Sequence, residues 1–537
     1  MAEFDYVIVG AGAAGCVLTY RLSADPSVKV ALIEAGPRDT HPFISMPKGL
    51  AKVMQDPKHL WMHASTPEAS TAGQSEVWVR GRVLGGSTSV NGMMYVRGQP
   101  ADFDGIAAVS SEDWSWDHIG QAYRALENHE LGAGPTRGDQ GPLKISLPEL
   151  RDRTSNAQVA AGEAMGWVRK EDTNEPDDLE RVGYSPRTIY KGKRQSAALA
   201  FLRPAEKRAN VTVFTDTTAR RVIFDGKRAV GVEVETADGT QTIHARGEVI
   251  LCGGAMSTPG LLERSGVGQR EVLEPLGVDV VHELPSVGEG LIEHRGIIVQ
   301  WKLKDPSLSQ NREFGGWRLL KATAEYYLKG TGPMASAAYE VGGWFKSDPN
   351  LSRPDCQLLA APYSFDMAKQ RTALETEPGM NVVIYPLRPT SMGSIHITTL
   401  DPSAPATFSP NYRSTPEDRA SMIGALRKVR QWASQKPLAD IIVDETTPGL
   451  AVETDEQIME AYDRLGTCGY HSVGSCRMGK DEASVVDPQL RVRGLEGLRI
   501  MDTSILPAIP SGNTNGPVLA MAWRAADVIR SSKGIAQ

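Results

Sequence analysis

Hydrophobic residues near the start of the chain fall into a short run, an apolar helical stretch and a second short run. Residues 4–9 predict a buried strand, residues 16–22 an apolar helix and residues 28–33 a second strand. A strand followed by a turn, a helix and another strand is typical of a sheet covered by helices. The pattern therefore predicts an α/β unit at the N-terminus.

The turn between the first strand and the helix has glycine at positions 10, 12 and 15. Glycine there permits the turn, lets the backbone approach a pyrophosphate and lets the helix pack on the strand. Glu34 ends the second strand nineteen residues after Gly15, where a carboxylate can bind ribose hydroxyls. The residues predicted to bind a dinucleotide are Gly10, Gly12, Ala13, Ala14, Gly15, Glu34 and Ala35. The alternative is a glycine-rich turn in an ordinary βαβ unit.

The later part of the chain has a different pattern. Residues 380–385 and 393–398 alternate or run apolar with many β-branched residues, which predicts strands, and residues 415–434 predict a helix. We predict an α/β fold, α+β overall, in which a Rossmann-like nucleotide domain is interleaved with a substrate domain of antiparallel sheet and helices. The nucleotide domain is predicted from residues 1–155, 190–300 and 467–537, and the substrate domain from residues 156–189 and 301–466.

Composition fits a large protein with more than one domain. The chain has 537 residues, of which 41% are hydrophobic, so it can bury more than one core. Its net charge is −7 at pH 7 and it has no basic run, which argues against nucleic acid or an anionic membrane surface as a partner.

The sequence also favours a cytoplasmic protein. The first residues are acidic and enter the first strand at once, and no stretch approaches the ~18 consecutive apolar residues of a membrane span. The five cysteines are scattered and odd in number, as expected in a reducing compartment. Cys468 and Cys476 flank His471 but have no partner cluster, so we predict no metal site.

Candidate chemistry lies near the C-terminus. His471 and Asn515 are forty-four residues apart, and each lies in a glycine-rich or proline-bounded turn. A histidine, whose pKa is ~6.5 when unperturbed, can take the proton of an alcohol while a neighbouring amide holds the oxygen. The other product of such an oxidation is a hydride, which needs an acceptor.

Two long segments, residues 81–98 and 254–268, resemble the signature segments of the glucose-methanol-choline (GMC) oxidoreductases. The resemblance continues through residues 193–197 and 285–294 and through the segments around His471 and Asn515, and so covers nearly the whole chain. Members of that family hold FAD and oxidise alcohols. The resemblance therefore implies FAD as the hydride acceptor, His471 as the catalytic base and Asn515 as its partner.

The resemblance also implies further cofactor contacts. They are Gly85, Gly86, Asn91, Gly92, Met93, Met94, Ala219, Tyr470, Asp502, Thr503 and Thr514. Some members attach FAD through a histidine at the position of Val90, and valine cannot form that bond, so we predict non-covalent FAD. Gly290 and Glu293 replace the usual Asn and Asp of their segment, which leaves the local contacts open.

The predicted activity is oxidation of a primary alcohol, aryl or extended aliphatic, to the aldehyde. Glu340 matches a position that contacts the ammonium of choline in one branch of the family, so a choline-type dehydrogenase is an alternative. A lyase or a light-driven decarboxylase on the same fold is another. We expect O₂, a quinone or another electron carrier to reoxidise the flavin, and the sequence does not choose among them.

Overall fold

The computed structural model describes residues 3–369 and 373–532. One sheet contains both strands predicted at the N-terminus, and the neighbours of these strands run parallel to them. In spatial order its strands are Val211–Phe214, Val30–Ile33, Glu3–Val9, Gly239–Leu251, Arg228–Thr236 and Thr218–Asp225, and Leu498–Ile500 also pairs with Gly239–Leu251. This sheet has its own hydrophobic core.

A second, mainly antiparallel sheet lies further along the chain and packs against a separate core. In spatial order its strands are Ile442–Thr447, Arg295–Leu303, Gly379–Pro386, Cys356–Ala361, Val341–Phe345, Arg181–Tyr184 and Val168–Arg169, and Gly466–Cys468 also pairs with Arg295–Leu303. The mixture of a parallel nucleotide-type sheet and an antiparallel sheet with helices confirms the predicted fold class.

The chain also forms several longer helices. They are Ala13–Leu22, Pro100–Val109, Trp116–Leu126, Arg153–Ala164, Thr258–Arg264, Gly316–Lys329, Pro416–Ala433, Asp455–Leu465 and Asn515–Ser531. In the described part of the chain, no helix is long and apolar enough to cross a membrane.

Several predicted elements are found within a few residues of their expected bounds. The helix predicted at residues 415–434 is Pro416–Ala433, and it begins where the Thr415 side chain accepts a hydrogen bond from the Asp418 N–H. The strand predicted at residues 380–385 is Gly379–Pro386, a buried strand in the middle of the second sheet. The strand predicted at residues 393–398 is Gly393–His396, which lies in a small separate sheet.

The strand Arg295–Leu303 crosses the predicted domain boundary at residue 300 and belongs wholly to the second sheet. The division of the chain into two domains remains a prediction, and this strand indicates that the switch from one to the other falls before Arg295.

The first helix is buried because other elements cover it on several sides. Helix Ala13–Leu22 packs against helix Asn515–Ser531, and its Cys16, Val17 and Leu18 are fully buried. Its approach to the first strand requires glycine, since a Cβ added at Gly15 would lie 1.9 Å from the Gly10 carbonyl oxygen.

We therefore expect Gly15→Ala to destabilise the fold. A backbone atom cannot move away as a side chain can, so the loss in the free energy of unfolding should be at least ~1–3 kcal/mol. Chemical denaturation of the apoprotein measures it. Gly105→Ala is the matched control, because Gly105 is exposed in helix Pro100–Val109 and an added Cβ there meets nothing within 4 Å. Equal stability of Gly15→Ala and wild type would contradict this packing.

Candidate active site

A cavity of ≈ 1520 Å³ is lined by residues of both sheets and of the loops that join them. Its volume exceeds the ~300–1,000 Å³ typical of a pocket for one drug-sized ligand. The first sheet contributes Val9 and Ile33, and the second contributes Leu359, Val383 and Tyr385. The cavity is therefore large enough for a dinucleotide and a second small molecule.

One end of the cavity has the features of a phosphate site. Gly12 precedes helix Ala13–Leu22 and forms no side-chain cap, so the backbone N–H groups of the first turn are available to a ligand. Gly12, Ala13 and Ala14 line the cavity, and a Cβ added at Gly12 would meet nothing within 4 Å. Gly86 packs closely on Gly12, because a Cβ added at Gly86 would lie 2.8 Å from the Gly12 Cα.

Glu34 lies at the same end of the cavity. Its carboxylate accepts hydrogen bonds from the Ala11 and Gly36 N–H groups, both at 2.9 Å. Burial raises the pKa of this carboxyl to about 7, although these two bonds oppose the shift. An oriented carboxylate at the cavity wall suits ribose hydroxyls, and with the helix N-terminus it fits the dinucleotide half of FAD.

Asp502 also lines the cavity, but its oxygens are used by the protein. They accept from the Gly254 N–H at 2.9 Å, the Thr258 hydroxyl at 2.6 Å and the Ser504 N–H at 2.8 Å. These bonds join the segment that follows strand Gly239–Leu251 to the segment that follows strand Leu498–Ile500. In this structure Asp502 shapes the cavity wall.

The segment predicted to lie along the isoalloxazine, residues 91–94, is held from two sides. The Asn91 side-chain oxygen accepts from the Met93 N–H at 3.1 Å and from Arg194 at 2.8 Å. The Gly92 carbonyl accepts from the Ala338 N–H at 3.1 Å. A planar ring system stacked on this segment would therefore meet a fixed surface.

His471 lies at the far side of the same cavity, next to a second buried histidine. Its Nδ1 is 2.9 Å from Nδ1 of His294, and its Nε2 is 2.9 Å from the side-chain amide nitrogen of Asn513. His294 Nε2 lies 2.9 Å from the Leu387 carbonyl oxygen. The two histidine rings meet edge to face, and His294 stacks on Tyr385.

These partners fix the tautomer of His471. A carbonyl oxygen only accepts, so His294 Nε2 carries its hydrogen and, in the neutral ring, His294 Nδ1 is an acceptor. His471 must then donate from Nδ1, which leaves its Nε2 as a hydrogen-bond acceptor. The amide N–H of Asn513 donates to this Nε2. His471 is thus held with Nε2 as its basic atom.

Burial keeps this pair of histidines neutral. It lowers the pKa of His294 to about 4 and is the main cause that holds the pKa of His471 well below its usual value. The positive charge of Arg80 is a smaller cause of the His471 shift. A neutral His471 can accept a proton without first losing one.

Glu293 holds the backbone of both histidines. Its buried carboxylate accepts from the His471 N–H at 2.8 and 2.9 Å and from the His294 N–H at 2.8 Å. Burial raises its pKa to about 7, and Arg80, 3.5 Å away, opposes the shift. Glu293, which stands where the family usually has aspartate, therefore holds the two histidine segments together.

The structure brings most of the predicted site residues together. The cavity is lined by His471 and Asn515 and by Gly10, Gly12, Ala13, Ala14, Glu34, Ala35, Gly86, Asn91, Gly92, Met93, Met94, Ala219, Tyr470, Asp502, Thr503 and Thr514. Gly15 and Gly85 lie behind the wall, where Gly15 packs on Gly10 and the Gly85 N–H donates to the Ala11 carbonyl at 2.8 Å. The individual roles of these residues remain predictions.

Glu340 does not line the cavity. Its side chain is buried, and its carboxylate lies 3.8 Å from the Arg187 guanidinium. The predicted contact between Glu340 and a substrate therefore has no support in this geometry.

Sequence reasoning missed two residues of the base network. Asn513, two positions before Asn515, donates to His471, whereas Asn515 lines the cavity as the first residue of its helix. His294 is the last residue of segment 285–294, for which the resemblance predicts no catalytic role. Its signal was a histidine directly after an acidic residue in a segment that the family resemblance had already marked.

Comparison with known proteins agrees with this architecture. Two GMC oxidoreductase family models match residues 4–295 and 389–522. An uncharacterised GMC-type oxidoreductase of Mycobacterium tuberculosis is 37% identical, with 98% of this chain and 99% of the relative covered. Human mitochondrial choline dehydrogenase is 36% identical, with 99% and 91% covered. The crystal structure of pyridoxine 4-oxidase from Mesorbium loti superimposes with a TM-score of 0.88 at 29% identity and covers 98% of this chain and 99% of its own.

The two family models together cover more than half of the chain, and the relatives match it over nearly their full length. The residues at the dinucleotide end of the cavity fit the cofactor of this family. The chain belongs to the GMC oxidoreductase family, and it is an FAD-dependent oxidoreductase that acts on CH–OH groups.

Proposed function

We propose that this enzyme oxidises a primary alcohol, aryl or extended aliphatic, to the aldehyde. The observation that supports this most strongly is the placement of His471, whose Nε2 accepts from the Asn513 amide at 2.9 Å and whose side chain lines the cavity that fits FAD. A positioned base of this kind typically contributes ~10² to 10⁴ in rate.

In this proposal the alcohol hydroxyl replaces the Asn513 amide as hydrogen-bond donor to His471 Nε2. The side-chain amides of Asn513 and Asn515 then donate to the alcohol oxygen and hold the carbinol carbon in place. His471 takes the hydroxyl proton on its Nε2. His294 keeps the neutral tautomer that accepts from His471 Nδ1 and so leaves His471 Nε2 unprotonated before the reaction. Bound FAD supplies the acceptor for the hydride that leaves the carbinol carbon, and O₂, a quinone or another carrier then takes the electrons.

Aromatic side chains of the cavity support an aryl or long aliphatic substrate. Tyr339, Tyr363, Phe314 and Phe365 line the cavity together with Leu359. Such rings offer apolar contact to a benzylic group or an alkyl chain. Choline is the second candidate, because one relative named above is a choline dehydrogenase.

A cytoplasmic location is also part of the proposal. All five cysteines are buried free thiols, which suits a reducing compartment.

Replacement of the base gives a direct test. We expect His471→Ala to bind FAD with its usual stoichiometry but to reduce it by alcohol ~10² to 10⁴ times more slowly, measured by anaerobic stopped-flow absorbance. His118→Ala is the matched control, since His118 lies outside the cavity lining, on helix Trp116–Leu126. Near wild-type reduction by His471→Ala would refute the role of His471 as base.

The pH dependence of flavin reduction follows from the buried histidines. Because the pKa of His471 is lowered, the ring stays unprotonated as pH falls, and the reduction rate constant should hold down to below pH ~6.5. The test is to measure the rate constant of flavin reduction at saturating alcohol from about pH 5 to about pH 9, on both sides of the ordinary histidine pKa of ~6.5. An acid limb centred at or above ~6.5 would show that the base is not held in the buried neutral form.

Val90 lines the cavity at the position where a histidine would attach the flavin. Since valine has no nucleophile, acid precipitation should leave all flavin absorbance in the supernatant. Retention of flavin by the washed precipitate would contradict the prediction of a non-covalent cofactor.

A further inference from the structure

A lysine of the cavity wall lies over two of the aromatic rings that line the cavity. Lys48 lies in the short 3₁₀ segment Pro47–Gly49 and lines the cavity. Its ammonium donates to the Ala337 carbonyl at 2.7 Å and lies 4.7 Å from the ring centroid of Tyr363 and 5.6 Å from that of Phe314. Both ring distances are within the ~6 Å range of a cation–π contact.

Lys48 belongs to the wall that leads to the base. Its acceptor, Ala337, precedes Ala338, whose N–H donates to Gly92 in the segment predicted to carry the flavin ring. Tyr339 packs in one cluster with Tyr385, and the Tyr385 ring centroid is 5.7 Å from that of His471. We call Tyr385, Tyr339, Tyr363 and Phe314 the aromatic wall.

The acidic group near this wall is also engaged by the protein's own cations. The buried carboxylate of Glu340 lies 3.8 Å from Arg187, and its charge acts on Lys48 as well. Burial lowers the pKa of Lys48 to about 8, and Glu340 opposes the shift, so the amine is mainly protonated at pH 7. The negative charge of Glu340 is thus balanced by cations of the fold.

We propose that Lys48 selects substrates by their charge. The enzyme then rejects alcohols that bear a quaternary ammonium and accepts neutral or anionic alcohols of the same shape. The inference rests on the proposed alcohol oxidation and narrows its substrate class. A second cation beside Tyr363 or Phe314 would be repelled by Lys48, whose ammonium already contacts both rings. Repulsion between two ammonium groups ~4–6 Å apart in a partly buried site corresponds to at least about a tenfold loss in affinity.

A pair of isosteric alcohols tests the inference. Choline has a positively charged nitrogen at its branched centre, and 3,3-dimethylbutan-1-ol has a neutral carbon there; the two molecules are otherwise the same. Equilibrium dissociation constants are measured with the oxidised holoenzyme by thermal stabilisation and flavin-spectrum perturbation, and anaerobic reduction rates are measured in parallel. We expect the neutral alcohol to bind at least about tenfold more tightly than choline.

Variants separate the charge of Lys48 from other effects. Lys48→Met removes the charge and keeps the length of the side chain. It should tighten choline binding and so reduce the preference for the neutral alcohol over choline. Lys48→Arg keeps the charge and should preserve that preference. Lys58→Met is the control, since Lys58 is exposed ten residues further along the chain and lies outside the cavity lining, and it should leave the ratio of the two dissociation constants unchanged. If Lys48→Met does not fold, Lys48→Gln takes its place, because it also removes the charge.

Choline binding as tightly as its neutral isostere, or an unchanged ratio in folded Lys48→Met, would overturn the inference and leave alcohol oxidation standing. Failure of every primary alcohol to reduce the flavin would instead overturn the proposed function. The dissociation constants of the pair would still measure the charge preference of the cavity.

Discussion

The site depends on one chain of hydrogen bonds, from the Leu387 carbonyl through His294 to His471. The second sheet builds this chain. Arg295 at the start of one strand pairs with Cys468 at the end of another, and the Gly469 N–H donates to the His294 carbonyl at 2.8 Å, so the two histidines come together just beyond the paired strands. Because burial keeps both rings neutral, the chain has one favoured proton arrangement, and it leaves a base at the cavity wall.

The nucleotide end could be predicted from sequence because its signals are local. Gly12, Gly15 and Glu34 lie within one strand–turn–helix–strand unit, where the spacing of residues along the chain fixes their spacing in space. The helix Pro416–Ala433 was predictable for the same reason, since its capping threonine and its period of apolar residues lie in one short stretch.

The base network and the substrate wall could not be predicted in the same way. His294 and His471 are 177 residues apart, and their contact depends on strand pairing that no local pattern specifies. Glu340 illustrates the reverse case, because its match to a family position carried no information on Arg187 or Lys48, which engage its charge in the folded chain. A family resemblance identified the segments, and only the fold showed which side chains of each segment reach the cavity.

The most direct test of alcohol oxidation at this site is the visible spectrum of the FAD-loaded protein as a benzylic or long-chain primary alcohol is added without oxygen. We expect the oxidised-flavin band to bleach and one aldehyde to form for each flavin reduced. Aldehyde formation with the band unchanged would indicate a lyase, and no bleaching with any primary alcohol would contradict the claim that His471 serves alcohol oxidation.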